Sequence, residues 1–188
     1  PKVEAIFNIY RVAGLPVRAQ IEHILSGVLS ETEPDRRLLH CCLQGLLDML
    51  KDGPMLTEPE AFVALLCRTV LSKSREPNLN DIMKQVLSGE AEGDGVQAPQ
   101  AWDHADRTLA LSIIGAAACH PDADEHLHQM FVFRLFSFLE DWFEGVEKGV
   151  NLYAYRSNPI WGALSELLQR DRSNFTLTLA RRAALRLM

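Results

Sequence analysis

The chain has 188 residues, 47% of them apolar and 23% charged, and its 19 basic and 25 acidic side chains give a formal charge of −6. A chain of about 150 residues already buries roughly 68–70% of its unfolded surface, so a core can form without disulfide or metal staples. This composition excludes disordered, collagen-like and disulfide-scaffold proteins.

Val3, Ile6, Phe7 and Tyr10 recur at helical spacing, and Gly14 with Pro16 supplies the stop. A second helix follows, with Val17, Ile21, Ile24, Leu25 and Val28 as its apolar stripe and Arg18, Gln20 and Glu22 on the wet side. Thr32-Glu33-Pro34 opens a third, because the hydroxyl can cap a free amide and proline at the first position loses no hydrogen bond. Asp52-Gly53-Pro54 ends it. The same entry returns at Thr57-Glu58-Pro59, and each proline precedes a cysteine, Cys42 or Cys67, by eight residues. That echo reads as a repeated helix unit or as two similar helix starts. The fourth helix is expected from Glu60 to Ser72, and a short fifth from Asn80 to Leu87.

Residues from Ser88 to Gln100 carry Gly89, Glu90, Glu92, Gly93, Asp94, Gly95 and Pro99 and little to bury. This acidic, glycine-rich stretch, 89–101, reads as a loop between helical halves spanning 1–88 and 102–188. Asp103 or Asp106 can cap a sixth helix through Leu109, Ile113, Ile114 and Ala117, which His120-Pro121-Asp122 breaks. Phe131, Leu135, Phe138 and Trp142 form one helical row beside Val132, Phe136, Leu139 and Phe143. A helix from Glu125 to Val146 with those two rows is expected to be the buried centre of the second half. Asn158-Pro159 starts a helix through Trp161, Leu164, Leu167 and Leu168, and Ser173 or Asn174 starts the last.

The expectation is therefore an all-α fold of eight or nine antiparallel helices. Leu38-Leu39-His40-Cys41-Cys42-Leu43-Gln44-Gly45-Leu46-Leu47-Asp48-Met49-Leu50 and Arg107-Thr108-Leu109-Ala110-Leu111-Ser112-Ile113-Ile114-Gly115 are similar to the leucine-rich helices of HEAT and armadillo repeats. Over most of its length the chain resembles that class of helical-repeat protein, which implies a scaffold built of stacked helix pairs. The constant period of roughly 40–47 residues that such repeats show is not evident, so an irregular helical bundle stands beside this reading.

Cys41, Cys42, Cys67 and Cys119 lie in apolar stretches and read as reduced core thiols, which places the protein in an intracellular compartment, cytoplasmic or nuclear. The first residues lack the basic, apolar and small-residue order of a signal peptide. The longest apolar run, Leu109 to Cys119, is well short of the ~20 residues that span a bilayer. Pro1 at the start and a helical pattern up to Met188 suggest a segment of a longer polypeptide. Asn174-Phe175-Thr176 has the form of a glycosylation acceptor, in a stretch expected to be helical.

Catalytic signatures are sparse. In Cys119-His120-Pro121-Asp122-Ala123-Asp124-Glu125-His126-Leu127-His128, the last two histidines are two apart, so on a helix they diverge rather than share a metal. An acidic helix start, capped by Asp122 or Asp124, is the expected role, and no metal or cofactor is expected. Asp103-His104-Ala105-Asp106-Arg107 carries the residues of a phosphohydrolase dyad in inverted order, without the second histidine pair. An all-α enzyme would have to assemble its site from scattered residues such as His40, Asp103, His104, His120 and His126.

Charge distribution points elsewhere. Residues 151–188 hold Arg156, Arg170, Arg172, Arg181, Arg182 and Arg186 against Glu166 and Asp171, a balance of +4, so the preceding 150 residues carry −10. Arginine suits planar contacts with carboxylates, and Tyr153, Tyr155 and Trp161 beside it are residue types that dominate binding hot spots. Tyr153, Tyr155, Arg156, Trp161, Arg170, Arg172, Arg181 and Arg182 are thus the candidate partner-binding residues. The expected partner is another protein with an acidic or mixed acidic and apolar surface. Direct contact with nucleic acid is disfavoured by the net negative charge, although a role in a nucleic-acid-associated complex is the main alternative.

Overall fold

The structure is a computed structural model that describes residues 2–31, 35–71, 104–147 and 160–187. These form eight helices: α1 (Lys2–Val12), α2 (Leu15–Ser30), α3 (Arg36–Asp52), α4 (Pro59–Thr69), α5 (His104–Ala118), α6 (Glu125–Glu147), α7 (Ile160–Arg170) and α8 (Asn174–Leu187). No strand occurs among the described residues, and the chain is all-helical as expected. The helix anticipated over Asn80–Leu87 and the 89–101 loop lie outside the described residues.

Phe7 and Tyr10 turn α1 onto α3, where the Phe7 ring lies so close to Gly45 that a Cβ there would stand 2.4 Å from ring carbons. Gly45 is what lets these two helices meet. α3 is started by Asp35, whose carboxylate accepts from the amides of Arg37 at 2.8 Å and Leu38 at 3.2 Å, in the role expected of Thr32. It ends at Gly53, where a side chain would meet the Met49 carbonyl oxygen at 2.7 Å.

The face of α2 differs from the expectation. Ile21, Glu22, Leu25 and Leu29 are buried, whereas Val17 and Ile24 are 44% and 61% exposed. Glu22 is the reason. Its carboxylate accepts from the Tyr10 hydroxyl, the Thr57 amide at 2.8 Å, the Thr57 hydroxyl at 2.7 Å and the Glu58 amide at 3.4 Å. The neighbouring helix α4 has no side-chain cap of its own, so Glu22 supplies an anion to its positive end from a distant part of the chain. Thr57, expected as that cap, instead donates to Glu22. Burial, then the bond to Glu22, pushes the Tyr10 phenol far above its ordinary range.

The centre of the molecule is α5 rather than α6. Ala110, Ile113, Ile114 and Ala117 are fully buried, and α5 packs against α3, α4, α6 and α7. Gly115 faces Leu135 and the Ala163 carbonyl oxygen, where an added Cβ would make ordinary contact at 3.8 and 3.9 Å. The long helix α6 buries Phe131, Val132, Leu135, Phe136, Leu139 and Phe143 but leaves Phe133 60% exposed, so it flanks the core. Asp124 caps it through the Leu127 amide at 2.8 Å. Cys42 is buried and Cys67 and Cys119 are half-buried, while Cys41 is exposed on the outer side of α3, contrary to its reading as a core thiol.

Three substitutions test these contacts, each by urea unfolding followed by far-UV circular dichroism. Phe136→Ala is expected to cost about 3–5 kcal/mol because its ring is 5% exposed. Phe133→Ala, one turn away on the open side, should stay within about 1 kcal/mol. Glu22→Ala should cost on the order of 3 kcal/mol or more by stranding the Tyr10 hydroxyl and the Thr57 and Glu58 amides that lead into α4, and equal stability with the parent would refute this role.

Candidate functional site

The arginine-bearing end of the chain is built on α7 and α8. Ile160, Ala163, Leu164 and Leu167 recur at three- and four-residue intervals and turn one side of α7 into the core. The Asp171 amide closes the helix onto the Leu167 carbonyl at 2.7 Å. The Asp171 side chain then starts α8. It accepts from the Ser173 amide at 2.9 Å, the Ser173 hydroxyl at 3.1 Å and the Thr176 hydroxyl, while Ser173 Oγ accepts from the Thr176 amide at 3.2 Å. Burial alone would raise the Asp171 carboxyl, but these bonds from Thr176 and Ser173, with His128 nearby, outweigh it and hold the group below its ordinary value. In the Asn174-Phe175-Thr176 triplet the asparagine is exposed and the threonine is buried, its hydroxyl committed to Asp171.

The arginines divide into two sets. Arg170 pairs with Glu166 at 3.1 Å, while Arg182 at 4.0 Å and Arg186 both meet Glu140 of α6. Arg186 also lies over the Phe143 ring, 5.3 Å from its centroid. Arg172, in the turn, and Arg181, on α8, are exposed and have no acidic partner among the described residues. Trp161 is half-buried against the core. Tyr153, Tyr155 and Arg156 lie outside the described residues; of the expected cluster, Trp161 begins α7 and Arg170 ends it, Arg172 lies in the turn, and Arg181 and Arg182 lie on α8.

The residues proposed for a scattered active site have separate partners. His40 Nδ1 is 2.8 Å from the buried carboxylate of Asp106, which lies inside α5 and not at its cap. His120 is buried, with Nε2 donating to the Gly53 carbonyl at 2.9 Å and Nδ1 accepting from the Asp122 amide at 3.1 Å. His126 is exposed, 4.0 Å from Glu60. Asp103 and the His104 side chain are outside the described residues. No group of three or more histidine, cysteine, aspartate or glutamate side chains converges as a metal site among the described residues. A shallow recess of about 200 Å³ lies between α5 and α7, with Gly115 and Ala163 in its walls and the Glu166–Arg170 pair among its polar residues. That space is open to solvent and encloses no room even for a water molecule, whereas small-molecule sites are cavities of roughly 300–1,000 Å³.

One exposed apolar surface was not legible as such. Ile9, Val12, Leu15, Val17 and Ile24, on α1 and α2, are 44–86% exposed. Periodicity placed Val17 and Ile24 inside because it placed Glu22 outside. At the adjoining turn, Arg18 is tied back to the Ala13 carbonyl at 2.8 Å, and its guanidinium lies 5.9 Å from the Tyr10 ring centroid. No helix among the described residues is long and apolar enough to cross a membrane.

No family model matches the chain, and no curated protein or solved structure matches it.

Because the folded Asp171 carboxyl titrates below the ordinary value of about 3.9, its contribution is fully present above that ordinary range and is lost as pH falls through it toward the lowered folded value. The stability gap between the parent and Asp171→Asn should therefore be widest near neutral pH and narrow in acid. Urea midpoints measured across the acidic range test this, and a gap that does not change with pH would contradict it.

Proposed function

We propose that the chain is a noncatalytic protein-binding module, a scaffold or adaptor segment of a larger intracellular protein, whose partner-facing surface is the arginine-bearing flank of α7 and α8. The observation that carries this reading is the position of Arg172 and Arg181. In a chain with an excess of acidic residues, these two guanidinium groups stand exposed without an acidic partner among the described residues, although Glu166 and Glu140 neutralise their neighbours. A local positive potential on a negatively charged protein steers an acidic surface to one orientation. Arginine adds bidentate contact with carboxylates once the surfaces meet.

A HEAT- or armadillo-like arrangement is the architecture we assign to this scaffold. It is supported by the two leucine-rich helices that carry the resemblance, now α3 and α5, which pack directly against each other. The free thiols support a reducing compartment, cytoplasmic or nuclear: burial pushes Cys42 up to about 11 and raises Cys67 and Cys119, so these three stay protonated and unreactive at neutral pH.

The test is kinetic. Partners captured from cell extract are measured against the parent chain and an Arg172→Glu, Arg181→Glu double variant whose circular dichroism matches it. Association should slow by about tenfold at low ionic strength, and the two proteins should converge as salt rises. Parental kinetics at low salt would move the interface elsewhere. Tight binding of a nucleic-acid duplex that falls steeply with salt would favour the nucleic-acid alternative.

A further inference from the structure

We propose that His128 is a pH-operated latch on the corner where α5 ends, α6 begins and α7 turns into α8. The inference is independent of which partner the arginines meet and rests on counting protons. His128 Nδ1 lies 2.8 Å from the Ala118 carbonyl oxygen, and a carbonyl only accepts, so Nδ1 carries a proton. A neutral imidazole has a single N–H. In a neutral ring Nε2 would then present a lone pair to Asp171 Oδ2, 3.1 Å away, so two electron-rich atoms would face each other.

Nε2 is shut off from water and has no aligned hydrogen-bond partner, so nothing else compensates it. Only the imidazolium satisfies both contacts at once. The cation donates to the last turn of α5 and neutralises Asp171, the same carboxylate that holds Ser173 and Thr176 at the start of α8. When the ring loses its proton, one of two ties must go. If Nδ1 keeps the proton, Nε2 repels Asp171; if Nε2 keeps it, the Ala118 carbonyl loses its donor. The tie is therefore complete only while the ring carries both protons and Asp171 is ionised, and it is lost when the ring gives one proton up.

Other charges around the corner are already engaged. Glu166 and Arg170, on α7, pair with each other. Cys119, after α5, is held as a neutral thiol by burial and by Asp171. On the α6 side, Asp124 caps the helix and Glu125 accepts from Gln129. Arg172 is exposed in the turn, and α8 faces the corner with the neutral hydroxyls of Ser173 and Thr176. Asp171 is thus the counter-charge of His128. The His128 side chain is 20% exposed.

The experiment is amide hydrogen exchange on the full chain at about pH 5.5 and about pH 8.5, corrected for intrinsic rates, together with imidazole ¹⁵N shifts. Protection across α8 should fall by about tenfold or more at the higher pH relative to α3, the loss expected for one buried contact. His126→Gln, which removes an exposed imidazole, should keep that profile, and His128→Gln should abolish the pH dependence. If His128→Gln does not fold, the parent's ¹⁵N shifts decide: an imidazolium at the lower pH supports the latch. A neutral His128 at both pH values, or α8 protection that tracks α3 throughout, would overturn it.

Discussion

Three carboxylates are carried into junctions between helices, and the packing depends on each being satisfied there. An unpartnered charge in such a position costs several kcal/mol, on the order of 3–5 when one partner of a buried pair is removed. Glu22, 6% exposed, therefore reaches the open end of α4, and Asp106, 3% exposed, meets His40 across the α3–α5 contact. Asp171 closes α7 and opens α8. Each of these residues finds at least one partner far along the chain: Glu22 at Thr57, Asp106 at His40 and Asp171 at His128. Such pairs fix helix register in a way that apolar contacts alone do not, because a shift of one residue would leave a charge buried without its donors.

The apolar surfaces of the same helices are more permissive. The Phe7 ring packs directly on Gly45, where a Cβ would stand 2.4 Å from ring carbons, while Gly115 meets Leu135 and the Ala163 carbonyl at ordinary contact distance. At these points volume, and not polarity, sets the distance between helices. α5 can occupy the centre because Gly115, Ala116, Ala117 and Ala118 keep its last turns thin. The bulkier α6 lies outside it, with aromatic rings on the inward side and Phe133 facing out.

This division explains what the sequence disclosed. Helix periods, the Gly53 stop, the Asp124 cap of α6 and the Ser173 start of α8 are local features, set by side chains within a turn of the backbone they serve, and they were legible. The face of α2 was not. A charged residue at position 22 counts as polar in any periodic reading, which rotates the inferred buried arc toward Val17 and Ile24; what buries Glu22 is the uncapped end of α4, and spacing along α2 carries no trace of it. The same limit applies to Asp106, which reads as a cap yet serves His40 from within α5. Of the candidate face, the arginine excess was visible in composition, but its division was not. Glu140 lies 46 residues before Arg186, and only the packing of α8 against α6 reveals that this acid neutralises part of the basic stretch.

His120, in the α5–α6 connection, and His128, in the first turn of α6, place opposite demands on their protons. His120 uses Nε2–H toward Gly53 and offers Nδ1 to the Asp122 amide, an arrangement complete in the neutral ring and broken by a second proton. In the proposed latch His128 carries both protons, one donated to the Ala118 carbonyl and one facing Asp171 at 3.1 Å. One ring therefore anchors the end of α3 to the connection, and the other anchors α7 and α8 to it, under opposite protonation states. Because α8 carries Arg181 and Arg182 and docks on α6, the second anchor bears directly on where those guanidinium groups stand.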